Sequence, residues 1–215
     1  TDAATAQALA DRLDPLPHRE YSIASIPADG AVHLLVRQLR RPDGRLGLGA
    51  AWLTEDAPLG HDIALRLRRN RGFHPPADTM PVILIGNGTG IAGLRALLRA
   101  RVTIPGTRNW LLFGERQAAC DAFYGEELAA WKATGQLERL DLAFSRDTPE
   151  RVHVQQRLRE NATAIRRWVD DGAAIYVCGS LAGMAPGVDA ALTDILGADA
   201  LASLASQQRY RRDVY

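Results

Sequence analysis

Met80-Pro81-Val82-Ile83-Leu84-Ile85-Gly86-Asn87-Gly88-Thr89-Gly90-Ile91-Ala92-Gly93 runs from a short apolar block straight into glycines and out into a helical pattern. That is the order of a strand, a tight turn and a helix start. Small residues in such a turn let the backbone approach a ligand phosphate, and the open N–H groups of the helix N-terminus supply donors and positive potential. Gly86 and Gly88 satisfy the first two positions of G-x-G-x-x-G, while Ile91 stands at the third. Taken alone, the stretch fits a nucleotide site and an ordinary βα turn equally well. Its neighbours decide.

Downstream, strands are suggested at 81–86, 109–114, 139–145, 173–178 and 209–215, and helical patterns at 90–101, 119–134, 150–170, 181–196 and 198–207. Strands that are apolar throughout and alternate with helices belong to a parallel sheet covered on both faces. Residues 77–215 are therefore expected to form a doubly wound, five-stranded α/β domain. Upstream the rhythm differs. Residues 1–14 read as a helix end cut off by Pro15 and Pro17, 19–25 and 32–37 as strands joined by a turn at 27–30, and 47–53 as a glycine-led short helix. Residues 62–68 alternate like a half-buried third strand. Residues 1–76 thus read as a β-rich unit ending near Pro75-Pro76.

Lys and Arg total 26 against 25 Asp and Glu, a balance that gives no field for nucleic acid or an anionic membrane. There is no long uninterrupted apolar window and no signal-like opening, so a soluble, cytoplasmic chain without a membrane segment is expected. Cys120 and Cys178 form neither a metal-ligand spacing nor a disulfide framework, so no metal is expected. The arginines at 66, 68, 69 and 71 read as a solvated strand face.

Three more segments stand at expected strand ends: Phe113-Gly114-Glu115-Arg116, Ala143-Phe144-Ser145-Arg146 and Tyr176-Val177-Cys178-Gly179-Ser180. In a doubly wound sheet, ligands bind outside the carboxyl ends of the strands, so these ends and the glycine turn converge on one crevice. With the further pieces Arg19-x-Tyr21-Ser22, Arg151-x-His153-x-Gln155 and the terminal Arg-Asp-Val-Tyr, the sequence resembles the C-terminal part of the NADPH-dependent diflavin reductases. These belong to the ferredoxin–NADP reductase superfamily, and the likeness is greatest to their sulfite reductase branch.

The resemblance implies an oxidoreductase module that accepts a hydride from NADPH onto FAD. It would pass electrons to an FMN domain and on to a haem or iron–sulfur partner, a sulfite reductase haemoprotein among them. It assigns Arg19 to the FAD pyrophosphate, with Glu20 beside it, Tyr21 to the isoalloxazine and Ser22 to the neighbourhood of flavin N5. Gly47, Leu48, Gly49 and Ala50 would present backbone N–H groups to the FAD pyrophosphate, without the hydroxyl usual there. Gly88, Thr89, Gly90 and Arg116 would hold the NADPH pyrophosphate, and Ser145, Arg146 and Arg151 the 2′-phosphate, with His153 and Gln155 at the adenosine end. Cys178 would lie beside the nicotinamide, Asp213 would stabilise its developing positive charge, and Tyr215 would cover the flavin face. Three departures stand out: His153 replaces a tyrosine, and Ser180 and Gly187 each replace an aspartate.

Glu115, read by itself, is an NAD-type acid at the end of the second strand; the Ser145, Arg146 and Arg151 set argues for NADPH instead. Three strands before Pro75 make only part of an antiparallel flavin-binding barrel, with open edges. The reading therefore expects further barrel strands and an FMN-binding domain upstream of residue 1. The alternative is an NADPH-binding fragment or regulatory module without flavin chemistry.

Overall fold

The computed structural model describes residues 7–8, 11–13, 18–77 and 79–215. Most of the helix end expected at 1–14, with Pro15 and Pro17, lies outside the described residues. Five strands, β1 (Val82–Asn87), β2 (Asn109–Glu115), β3 (Arg139–Phe144), β4 (Ala174–Gly179) and β5 (Tyr210–Val214), form one sheet in the order β3-β2-β1-β4-β5. Every pairing is parallel, as the unbroken apolar runs predict. The chain builds outward from β1 to β2 and β3, then returns to β1's other side for β4 and β5. This reversal creates a crevice at the carboxyl end of β1.

Eight helices accompany the sheet among the described residues beyond position 13: α1 (Leu48–Ala51), α2 (Ile91–Arg101), α3 (Ala118–Asp121), α4 (Gly125–Ala133), α5 (Val154–Glu160), α6 (Ala162–Asp170), α7 (Ala185–Leu196) and α8 (Ala198–Ser206). Alternate side chains of each strand point to opposite faces and seed two cores. On one face Val82, Leu84, Leu111 and Tyr176 pack under Leu94 and Leu98 of α2 and Trp131 of α4. On the other, Ile83, Ile85, Trp110 and Ile175 pack under Leu158, Trp168, Val188 and Leu204 from α5, α6, α7 and α8. Two expected long helices are each broken. Tyr124, with φ 57°, separates α3 from α4, and Asn161 ends α5 by folding its amide back onto the Arg157 carbonyl at 2.9 Å.

The upstream half of the expectation needs correction. Among residues 18–77 no strand forms; antiparallel pairing is limited to the single bridges Ile23↔Leu34 and Arg40↔Leu46. The first pair still makes a recognisable hairpin. The Ala24 N–H donates to the His33 carbonyl (2.8 Å), Ser25 Oγ donates to the Ala31 carbonyl (2.8 Å), and Gly30 at φ 71° closes the turn Pro27–Asp29. The third expected strand, 62–68, makes no strand pairing among the described residues, and Ile63, Leu65 and Leu67 face solvent at 42%, 59% and 66% exposure. Alternation specifies a face, but a strand also needs a neighbour to take its N–H and C=O groups and a layer to cover its apolar side.

The hairpin is fastened to the sheet by charge. Arg95 of α2 donates to the Ala24 carbonyl and pairs with Glu127 of α4, while Arg99 bridges Asp29 of the hairpin turn and Glu127. Further along, the Tyr176 hydroxyl donates to the His74 carbonyl (2.6 Å), and Phe73 meets the Tyr176 ring edge-on.

Candidate functional site

The carboxyl ends of β1, β2, β3 and β4 open onto a cleft of about 390 Å³. Its tightness comes from the glycines, though for two reasons rather than one. A Cβ at Gly86 would lie 2.6 Å from the Cys178 carbonyl oxygen, and one at Gly90 2.2 Å from it, so these two residues let β1 and its turn press against β4. Gly88, at φ 58°, and Thr89 line the cleft itself. Opposite them, Gly179 (φ 141°) has the Asn87 side chain where a Cβ would be, and Asn87 Oδ1 accepts the Ser180 N–H at 2.9 Å. Turns β1–α2 and β4–α7 are thereby locked together.

One end of the cleft is built by β2, β3 and the start of α5. Beyond its last residue β3 continues alongside β2, with Ser145 N–H on the Glu115 carbonyl (2.9 Å) and Arg146 N–H on the Arg116 carbonyl (2.8 Å). That ladder sets Ser145 beside Arg116 in the wall, where His153, the residue before α5, and Gln155 in its first turn join them. Gly114 lets α5 approach, since a Cβ there would meet Val154 at 3.3 Å. Gly187 leaves room for Gln155, whose Nε2 lies 3.1 Å from where its Cβ would be. Arg146 and Arg151 do not line the cleft; both sit in the exposed β3–α5 loop, with Arg151 in a left-handed turn at φ 51°.

Glu115 is buried. Its carboxylate takes the Arg37 guanidinium and the Arg116 N–H (2.8 Å). Arg37 also lines the cleft, a contribution from the 18–77 segment that no motif in the sequence signals.

Near Tyr215, which lines the cleft, register brings Cys178 of β4 beside Asp213 of β5, with Sγ 4.0 Å from Oδ2; neither these two nor Ser22 lines the cleft itself. Ser22 Oγ donates to the same carboxylate oxygen at 3.4 Å, and Asn70, also unsignalled by sequence, donates to Oδ1 at 3.1 Å. Burial, followed by the Asp213 charge, pushes the Cys178 thiol far up, so it stays protonated. Tyr215 is anchored rather than frayed: its N–H donates to the Gly179 carbonyl (3.0 Å), its carbonyl accepts the Leu181 N–H (2.9 Å), and its hydroxyl lies 3.1 Å from Thr89 Oγ1. Burial also raises its phenol pKa.

The remaining expected residues gather nearby. A Cβ on Gly49 would be 3.0 Å from Arg19 Cγ and 3.1 Å from the Tyr21 hydroxyl, so Arg19 and Tyr21 lie against the start of α1, where Gly47, Leu48 and Ala50 also sit. Glu20 instead pairs with Arg68 at 2.9 Å. Tyr21 turns to α1 while Ser22 turns to Cys178 and Asp213, as successive residues of extended backbone do. Among the described residues there is no grouping of three His, Cys, Asp or Glu able to hold a metal, and no helix long and apolar enough to cross a membrane.

A parallel doubly wound sheet with a glycine turn at its switch point, opening on a cleft with hydroxyl and guanidinium groups, defines a nucleotide-binding α/β domain. Residues 84–190 match the family model of the oxidoreductase NAD-binding domain. Over 98% of its length the chain is similar to sulfite reductase [NADPH] flavoprotein alpha-components: 38% identical to that of Neisseria meningitidis serogroup C, 39% to that of Salmonella typhi and 40% to that of Citrobacter koseri. It spans 38% of the length of each of these relatives. The resemblance read from the motifs is borne out.

Proposed function

We propose that this chain is the part of an NADPH-dependent flavoprotein reductase that takes a hydride from NADPH onto FAD and hands electrons to an FMN domain. From there they would reach a haem or iron–sulfur protein, with a sulfite reductase haemoprotein the acceptor suggested by the relatives' name. The observation that carries the reading is the meeting of Ser22, Cys178 and Asp213 beside Tyr215, which lines a cleft whose wall also gathers Arg116, Ser145, His153 and Gln155. On this reading residues 1–76 are flavin-binding, residues 77–215 are NADPH-binding and the setting is cytoplasmic.

FAD, when bound, supplies the two-electron acceptor that the side chains lack. The residues fit the two cofactors: a glycine turn with no room for Cβ atoms beside a helix N-terminus, and Arg19, Tyr21 and Gly49 in contact next to Ser22. Gly88, Thr89, Gly90 and Arg116 hold the pyrophosphate of NADPH. Ser145 with the loop arginines Arg146 and Arg151 holds the 2′-phosphate, the loop closing onto it. His153 and Gln155 flank the adenosine. Cys178, kept as a thiol by burial, gives the nicotinamide a small polarizable neighbour that does not compete for hydride. Asp213, oriented by Ser22 and Asn70, stabilises the positive charge that develops on the ring. Tyr215 would cover the approach to the flavin and would have to move aside before the nicotinamide could stack there.

Visible absorption of the purified full-length protein, followed by calorimetric titration with NADPH and NADH, tests this. A flavin band near about 450 nm and at least about tenfold tighter NADPH binding, from a charge-assisted contact of roughly 1.5–3 kcal/mol, are expected. A colourless protein that still prefers NADPH would make it a nucleotide-binding module without flavin chemistry. Equal affinity for the two nucleotides would overturn the 2′-phosphate assignment.

A further inference from the structure

An acid at the end of the second strand of a dinucleotide-binding sheet ordinarily accepts hydrogen bonds from the ribose, and its negative charge disfavours a phosphorylated ribose. Glu115 occupies that place, yet its carboxylate is not available. Its side chain is only 3% exposed, one oxygen is taken by the guanidinium of Arg37 and the other accepts the Arg116 N–H at 2.8 Å. The engaged oxygen lies at the glycine turn, 3.5 Å from where a Cβ of Gly88 would stand, and the Arg37 nitrogen is 4.0 Å from the same point. The pair therefore faces the cleft beside the expected path of the phosphates. Arg37 reaches there from outside the sheet, with its guanidinium 5.8 Å from the centre of the Phe123 ring.

We propose that Arg37 is a specificity-determining residue of the nucleotide site, turning a hydroxyl-seeking, phosphate-repelling acid into a neutral wall. The inference rests on the reading that the cleft binds NADPH. Arg37 acts in two ways. It occupies the Glu115 oxygen that would accept a ribose hydroxyl, removing the contact that favours the unphosphorylated nucleotide. It also cancels a buried charge that would raise the energy of a phosphate dianion in the same low-dielectric cleft. Arg146 and Arg151 attract the phosphate from the loop, whereas Arg37 removes the penalty from the neighbouring acid. Discrimination commonly uses both an attractive element and the management of a repulsive one.

The test uses calorimetric binding of two flavin-independent probes that differ only in the 2′-phosphate, 2′,5′-ADP and 5′-AMP, to the full-length protein. Wild type should prefer 2′,5′-ADP, and a wild type without that preference would overturn the underlying reading and this inference together. Given that preference, Arg37→Met, which keeps an apolar stem against Phe123, should weaken 2′,5′-ADP by about tenfold or more while 5′-AMP changes by less than about twofold. Adding Glu115→Gln should restore the lost selectivity, and Glu115→Gln alone should strengthen 2′,5′-ADP above wild type. If Arg37→Met does not fold, the double variant and Glu115→Gln alone still decide. Equal loss for both probes would mean that Arg37 serves the shared 5′-phosphates, and unaltered binding of both that the pair is only structural. Either result overturns the proposal.

Discussion

The sheet and the segment 18–77 are held by different forces. Within the sheet the four innermost side chains of β1, Val82 to Ile85, are fully buried, and two apolar cores cover both faces. The upstream segment has only one such residue, Ala24, and depends on a turn, two bridges, the Arg95 hydrogen bond to the Ala24 carbonyl, the ion pairs from Arg99 and Arg37, and the contacts of Tyr176 with His74 and Phe73. Apolar burial is insensitive to salt and pH, while partly exposed ion pairs are sensitive to both. Yet the segment supplies Ser22, Asn70 and Arg37 to the site. A rigid half carries the cleft, and a more loosely fastened half completes it.

The largest expected effect removes the sheet's own support. Trp168, 1% exposed and packed edge-on against Trp110 at 5.3 Å, contributes a large share of the core beneath α6. Trp168→Ala should lower the unfolding free energy by about 3–5 kcal/mol in urea denaturation, and the upstream segment should be lost in the same transition. Gly90→Ala comes next. Its Cβ would collide with backbone of β4, so about 1–3 kcal/mol of stability is expected to go, together with NADPH binding measured by calorimetry. A variant of full stability that still binds NADPH would show that the turn is less closely seated on β4.

Smaller effects probe the fastening. Arg99→Ala should leave the main unfolding transition within about 1 kcal/mol of wild type while accelerating amide exchange at Ala24 and His33, the two bonded across the hairpin. Unchanged exchange there would mean that the apolar contacts alone hold the hairpin. The smallest effect is acid release. Asp29 is held below its ordinary 3.8, first by the Arg99 hydrogen bond and then by the Ile26 N–H. A depressed folded pKa gives stabilisation that is complete above the ordinary value and is lost as pH falls through the folded one. Amide exchange in the hairpin, corrected for its intrinsic rate, should therefore increase only below about pH 4, before the sheet opens.

The same contrast explains what could be read in advance. Strands buried on both faces leave continuous apolar runs, which mark β1, β2 and β4, while the edge strands β3 and β5 carry charged residues and were legible from their place in the strand–helix alternation; all five agree to within about one residue at their ends. Residues 62–68 carry an equally clear alternation, but that pattern names a face without naming a neighbour, and none is present among the described residues. Thr89, Ser145, His153, Gln155 and Tyr215 were legible because they stand in short local motifs at strand ends. Gly86 and Gly90 carry a second role that the motif does not name, since their missing Cβ atoms let β1 and its turn press against β4. Arg37 with Glu115 and Asn70 with Asp213 left no signal. Each joins positions far apart in the chain, and a charge pair of that kind has no spacing to recognise.

The strand order carries a consequence for synthesis. β1 acquires β2 soon after it emerges, but its other neighbour, β4, follows only after β2, β3 and the helices α2 to α6. At translation rates of roughly 5–20 residues per second, the central strand waits several seconds with one apolar edge unpaired on the ribosome. Its glycine-rich carboxyl end cannot close until the chain bearing Cys178 arrives to press against it. The nascent sheet is thus a template awaiting its last two strands, and holdase chaperones would meet it at β1.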